Sequence, residues 1–109
     1  MLYIDGNSIR LTRGDTAYLT FPLEVDTGEE YIMGANDTLE LSLKEHILGA
    51  APILRKEIVG SNTFHIEPAD TAGLSFGKYR YDVQLTTSSG DVFTVIDVDT
   101  FEIMCEVTC

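Results

Sequence analysis

The residues that could catalyse a reaction are few and stand apart in the sequence. His46 and His65 are the two histidines, and nucleophilic catalysis needs such a base beside a Ser, Cys or Thr nucleophile. Neither lies in a Gly-x-Ser-x-Gly elbow or in a papain-like context. His65 alternates outward on a predicted strand, and His46 falls in a predicted loop. The sequence therefore predicts no catalytic and no cofactor-binding residue, and we expect a protein that is not an enzyme.

Acidic residues are plentiful, and two small groups of them could bind Ca²⁺ weakly. Asp26, Glu29 and Glu30 fall in one predicted loop, and Asp97 and Asp99 lie near a predicted turn. Neither group belongs to an Asp-x-Asp-x-Asp-Gly loop, and the sequence contains no His-Glu-x-x-His motif. Isolated acids on turns are ordinarily solvated. We therefore predict no metal site.

Two short motifs admit both a chemical and a structural interpretation. Cys105 and Cys109 are spaced as Cys-x-x-x-Cys, which matches neither a zinc knuckle nor a thioredoxin-type pair. Cys105 falls on the predicted inward face of the last strand, so we expect a small core residue there. Arg13-Gly14-Asp15 resembles an integrin-binding tripeptide, but its place before a predicted strand indicates a turn.

The charge balance narrows the classes of partner. The sequence contains 7 Lys and Arg and 18 Asp and Glu, so its net charge is 7 − 18 = −11. Phosphate backbones and anionic membrane surfaces bind clustered cations, so we expect neither nucleic acid nor membrane as a partner. Beyond solubility, an acidic surface suits docking on something basic or binding divalent cations. The opening residues, MLYIDGNSIR, lack the basic and apolar regions of a signal peptide.

Alternation of apolar and polar residues, the pattern of half-buried strands, dominates the chain. Ala17–Val25, Thr38–Lys44 and Lys78–Thr87 each place apolar residues on one face. Pro22 cannot donate to a ladder, so its strand should lie at an edge or bulge there. With the shorter runs between them, these segments make eight or nine short strands at about ten-residue spacing. We predict an all-β, two-sheet antiparallel sandwich of the Ig-like type, as a single domain over residues 1–109.

The end of the sequence carries two further predicted strands. Val92–Val98 is apolar on both faces, which is typical of a strand with neighbours on either side or packed against another element. Asp99-Thr100 should break the chain. From Phe101 the alternation resumes, with Phe101, Ile103 and Cys105 on the inward face.

The segment from Phe64 to Leu85 predicts a corner at which the chain crosses between sheets. A short helical turn is expected near residues 69–74, with Leu74 plugging the end of the sandwich. Gly77 then reverses the chain, and Tyr79 opens a strand where its hydroxyl could bond back to the corner backbone. The functional alternative is a carbohydrate-binding face made by Tyr79, Tyr81 and Asp82. That alternative is weaker, because both tyrosines alternate onto the predicted core face.

A series of short motifs extends over residues 8–108. They are RGDT at 13–16, DTLELSLK at 37–44, FHI at 64–66, DT at 70–71, Leu74, GKYRYDVQL at 77–85, GDVFTV at 90–95, FEI at 101–103 and EVT at 106–108. The series resembles small proteins encoded in phages and prophages of Gram-positive bacteria. It is similar to the N-terminal domains of baseplate upper proteins and tail-fibre proteins, which are β-sandwich attachment domains of the virion.

The resemblance implies a non-enzymatic virion structural protein that acts through contacts with other virion or tail proteins. Family members usually continue into a helical or fibrous region, whereas this sequence ends at Cys109, which favours a tail- or baseplate-associated adaptor over a receptor-binding protein. The resemblance also implies residence in the bacterial cytoplasm during assembly and then in the virion. Edge strands can pair with strands of another copy, so the sequence is also compatible with a homo-oligomer.

The alternative function is a carbohydrate-binding module that recognises a cell-surface glycan. It would need exposed aromatic side chains clustered on one sheet face or one loop end, and Tyr18 and Tyr31 are the candidates. The sequence contains no tryptophan, the usual platform for stacking on sugars.

Overall fold

Eight strands and one short helix form the regular structure of the described residues. The computed structural model describes residues 2–24, 28–45 and 52–105. In chain order the elements are β1 (Leu2–Asp5), β2 (Ser8–Thr12), β3 (Ala17–Thr20), β4 (Thr38–Lys44), β5 (Leu54–Val59), β6 (Thr63–Ile66), α1 (Pro68–Ala72), β7 (Gly77–Thr86) and β8 (Val92–Met104).

The strands divide into a large and a small sheet, which confirms the all-β, two-sheet sandwich. The large sheet has the order β1-β2-β8-β7-β4-β5, and the small sheet pairs β3 with β6. Neighbouring strands are antiparallel except β2 and β8, which run parallel from Ile9 beside Phe101 to Thr12 beside Met104. This pair joins distant parts of the chain, so no tight turn imposes opposite directions on it.

The inward faces of the alternating strands form one hydrophobic core between the sheets. Burial follows the predicted pattern in β3, β4, β6 and β7, where the inward side chains are at most 6% exposed. In β5, the alternation does not decide which side chains face inward. The structure shows that Leu54 and Ile58 pack against the core. The buried core consists of Ile9, Leu11, Ala17, Leu19, Phe21, Leu23, Leu39, Leu41, Leu43, Phe64, Ile66, Tyr79, Tyr81, Val83, Leu85, Phe101 and Ile103.

Two predictions about the last strand are wrong. The chain does not break at Asp99-Thr100, because both residues pair with β7 and β8 runs without interruption to Met104. Cys105 is exposed rather than buried in the core. It follows the last paired residue of β8, Met104, whose partner Thr12 is also the last residue of β2. Cys109 lies outside the described residues.

The predicted corner is confirmed. The chain leaves the small sheet at the end of β6, forms α1 and enters the large sheet with β7. The Tyr79 hydroxyl donates to the backbone carbonyl of Ser75 at 2.7 Å, and Leu74 is partly buried against the core. Burial raises the pKa of Tyr79, so this hydroxyl stays protonated and remains a donor.

An ion pair braces the same corner from the side. The Lys56 ammonium lies 2.7 Å from the Asp70 carboxylate, which also accepts the Glu67 backbone N–H at 2.8 Å. Burial alone would raise the pKa of Asp70, but these two donors outweigh it and hold that pKa below its ordinary value. Lys56 therefore turns inward on β5 because α1 supplies a carboxylate for it.

Removing the Tyr79 hydroxyl tests the corner. Tyr79→Phe deletes one hydrogen bond and keeps the buried ring, so the free energy of unfolding should fall by about 1 kcal/mol. Urea denaturation measures it. The matched control is Tyr18→Phe, because Tyr18 is 64% exposed on β3, and a change there should stay within about 0.5 kcal/mol. Equal stability of the wild type and Tyr79→Phe would show that the corner does not depend on this bond.

Candidate functional site

The histidine that could act as a base lies on the outside of the small sheet. His65 is outward on β6, and its ring stacks on Tyr18 with centroids 4.6 Å apart. Its Nδ1 is 3.9 Å from a carboxylate oxygen of Glu67. Among the described residues the imidazole therefore contacts an aromatic ring and a carboxylate, neither of which is a Ser, Cys or Thr nucleophile. His46 lies outside the described residues.

The acidic residues considered as Ca²⁺ ligands do not come together in the described part of the chain. Glu29 and Glu30 are both exposed, and Asp26 is not among the described residues. Asp97 is exposed, whereas Asp99 accepts the Ser8 hydroxyl at 2.9 Å. Within residues 2–24, 28–45 and 52–105, no group of three or more His, Cys, Asp or Glu is arranged to hold a metal ion.

The Arg13-Gly14-Asp15 triplet forms a turn that is docked on the corner. Gly14 has a positive φ of 83°, which favours glycine, and its N–H donates to the hydroxyl of buried Thr71 at 2.8 Å. The Arg13 guanidinium lies 4.2 Å from the centre of the Phe76 ring. These contacts give the triplet a structural role in joining β2 to α1.

The tyrosines proposed as a sugar platform do not share one surface. Tyr79 and Tyr81 are buried, and Asp82 is partly buried beside them on the opposite face of β7. Tyr31 is partly buried in the loop before β4. Of these four tyrosines, only Tyr18 presents a largely exposed ring.

A buried carboxylate that the sequence did not single out ties three loops together. Asp37, only 4% exposed, accepts hydrogen bonds from the Tyr31 hydroxyl, from the Gly34 N–H at 2.8 Å and from the Ser88 N–H at 3.0 Å. Its own carbonyl accepts the Gly60 N–H at 2.8 Å. The Tyr31 hydroxyl, followed by the Gly34 N–H, lowers the pKa of Asp37, and the same contact raises the pKa of Tyr31. We call this arrangement the Asp37 clasp.

The first half of β8 has a strand neighbour on one side only. β8 spans 13 residues, but β2 pairs with just Phe101–Met104. Between Val92 and Val98 it pairs with β7, and no other described strand lies on its opposite edge. Of the two alternatives left open for Val92–Val98, a strand with neighbours on either side does not hold among the described strands, whereas Val95 and Ile96 do pack against the core. We call Val92–Val98 the free edge.

The ladder between β7 and the free edge is irregular. Register shifts occur between Tyr81 and Val83 and between Val83 and Gln84, so β8 carries extra residues there. Val98 has a φ of 39°, which a β-branched residue rarely adopts. Bulges of this kind twist an edge strand away from a flat arrangement.

An apolar groove runs beside the free edge. One cavity of about 500 Å³ is lined by residues that include Leu23, Tyr31 and Phe93, and a second of about 230 Å³ is lined by residues that include Ile4 and Ile96. Pro22 lines both, so the two cavities adjoin. We call them together the β8 groove.

The β8 groove exists because the small sheet leaves part of the large sheet uncovered. Phe93 lies directly opposite Leu85, and cross-strand partners face the same side of a sheet. Leu85 is 5% exposed but Phe93 is 54% exposed. The inward face of β8 therefore ends in an aromatic side chain that no described element covers.

Comparison with known proteins adds no neighbour to this description. No family model, no curated protein and no solved structure matches the chain. Among the described residues, no helix is long and apolar enough to cross a membrane.

The Asp37 clasp predicts a specific dependence of stability on pH. The pKa of Asp37 is lower in the folded chain than its unfolded value of about 3.9. The ionised carboxylate therefore stabilises the fold above that value, and this contribution is lost as the pH falls through the folded pKa. Asp37→Asn should lower the free energy of unfolding more at about pH 6.5 than at about pH 3, as measured by urea denaturation.

The control for the clasp is Asp5→Asn. Asp5 is exposed at the end of β1, and its replacement should change the free energy of unfolding by less than about 0.5 kcal/mol at either pH. If Asp37→Asn costs the same at both values of pH, the carboxylate does not act through its charge.

Proposed function

We propose that the protein is a non-enzymatic structural protein of a phage or prophage virion, a tail- or baseplate-associated adaptor that acts through protein–protein contacts. The resemblance over residues 8–108 supports the virion context. The free edge beside the β8 groove is the structural observation that carries the contact role, because an unpaired strand edge and uncovered apolar side chains are typical of surfaces that bind other proteins.

The distribution of charge supports the same role. The outer face of the large sheet carries ion pairs such as Arg55 with Glu40 at 2.8 Å and Arg10 with Glu102 at 3.4 Å. Such a face is well solvated and gains little from a partner. The free edge exposes the apolar side chains of Val92, Phe93 and Val98 beside the β8 groove, so we assign the adaptor contact to this region.

A glycan-binding module is the second candidate, and the exposed Tyr18 ring favours it. Stacked on His65 on the outer face of the small sheet, that ring offers one flat apolar surface of the kind on which sugars pack. Glycan binding that is lost in Tyr18→Ala, together with no association with virions, would favour this candidate over the adaptor.

The adaptor role predicts that the protein is part of the particle. Virions purified on a density gradient from an induced lysate of the host bacterium should contain the protein, and antibody labelling should place it at the tail rather than the capsid. Particles from a lysogen that lacks the gene are the control. A protein that stays entirely in the soluble fraction while particles form normally would contradict the proposal.

A further inference from the structure

The free edge contains bulges but lacks the basic residues, the proline and the short length that also protect exposed edge strands. Proteins place Lys, Pro or very short strands at sheet edges to prevent pairing with other chains. The other two edges of the large sheet follow this rule, since β1 has four residues and β5 carries Arg55-Lys56-Glu57. Val92–Val98 contains no Lys, Arg or Pro, and five of its seven residues are apolar. Its unpaired backbone groups are therefore available to another strand.

The β8 groove supplies pockets for the side chains of such a strand. Alternate side chains of an extended segment point to the same face, so a strand beside the free edge would turn every second side chain towards Phe93 and Ile96. Ile96 is only partly buried although its partner Val83 is fully buried. Apolar side chains in the groove would complete this part of the core.

The larger cavity and the first part of the free edge carry acidic residues. All seven Lys and Arg of the chain lie outside residues 14–43 and 81–109. Lys44 and Arg80 lie beside Val98 at the far end of the free edge, and residues within 4–9 line part of the smaller cavity. Glu24 lines the larger cavity, and exposed Asp91 and Asp97 flank or lie within the free edge. A partner with cations beside its apolar residues would be attracted, and an acidic one repelled.

From these observations we propose that the free edge and the β8 groove bind an extended segment of a partner protein in which apolar residues alternate with Lys or Arg. The segment adds as a strand to β8, places its apolar side chains in the groove and directs its cations to the opposite face, near exposed Asp91 and Asp97. This inference rests on the proposed adaptor function and names the chemistry of its partner.

A second copy of the chain is a poorer occupant. Each copy has a net charge of −11, so two copies would repel each other. The acidic residues that flank one free edge would also lie opposite those that flank the other. The bulges and the twisted backbone at Val98 also prevent two rigid edges from lying flat against each other. A flexible segment can follow the twist, as in other cases of strand addition.

Synthetic peptides test the proposal with the full chain. An N-acetylated, C-amidated peptide of about ten residues that alternates Lys and Val should bind, with shifted NMR resonances at the free edge and at Leu23. The same peptide with Glu in place of Lys should not bind. A Lys-Val peptide N-methylated at alternate residues keeps the charge and loses the backbone donors, so its binding should be weaker by about tenfold or more.

Phe93→Lys and Val59→Lys form a matched pair of variants. Each replaces an apolar residue on an edge of the large sheet, 54% and 61% exposed respectively, and each adds one positive charge. Phe93→Lys should weaken binding of the Lys-Val peptide by about tenfold or more, whereas Val59→Lys should leave it within about twofold. Thermal unfolding of both variants checks that they remain folded.

Four results would overturn the inference. The first is equal binding of the methylated and unmethylated peptides, and the second is an equal effect of the two variants on binding. The third is that the resonance shifts are confined to other surfaces. The fourth is self-association of the chain in sedimentation experiments, if Phe93→Lys abolishes that self-association. The proposed function is tested separately, by incorporating the Phe93→Lys chain into particles. If that chain still enters virions, the adaptor role stands and its docking surface lies elsewhere.

Discussion

The buried carboxylate of Asp37 is the interaction on which the surface beside β8 depends. A carboxylate removed from water must be given donors, and this one takes them from Tyr31, Gly34 and Ser88. Ser88 belongs to the turn that leads into β8, and the Tyr31 N–H donates to the carbonyl of Leu23 at 2.8 Å. The Asp37 carboxylate thus fixes the turn that precedes the free edge. Through Tyr31 it also fixes Leu23 in the wall of the β8 groove that faces this edge.

A difference in strand length then leaves the surface open. β8 has 13 residues and β2 has five, and the short strand covers only the second half of the long one. The hairpin of β1 and β2 is itself held at its turn, where the hydroxyl of buried Tyr81 donates to the carbonyl of Asn7. The hairpin therefore ends at a defined point, and one backbone edge of Val92–Val98 and the Phe93 side chain remain uncovered by the described chain.

Local pattern predicted the features of the fold that depend on neighbours in sequence. Alternation identified the inward faces of β3, β4, β6 and β7, and the turn chemistry between Phe64 and Tyr79 identified the corner, because both depend on residues close together in the chain. The Asp37 clasp was missed because an acid before a strand looks like an ordinary turn residue: two of its donors are local, at Tyr31 and Gly34, and the third, Ser88, lies 51 residues away. The parallel pairing of β2 with β8 and the continuation through Asp99-Thr100 likewise depend on distant partners. The apolar free edge was visible in the sequence, but pattern alone could not say which of its sides was paired.

Amide hydrogen exchange in the unbound protein tests the central claim, that the first half of β8 is an unpaired edge. Between Phe101 and Ile103 the strand has neighbours on both sides, so its amides should exchange slowly throughout. Between Val92 and Val98 only the amides that face β7 should be slow, and the others should exchange at least about a hundredfold faster. Uniformly slow exchange over both halves would contradict the account, because it would mean that the edge already has a partner.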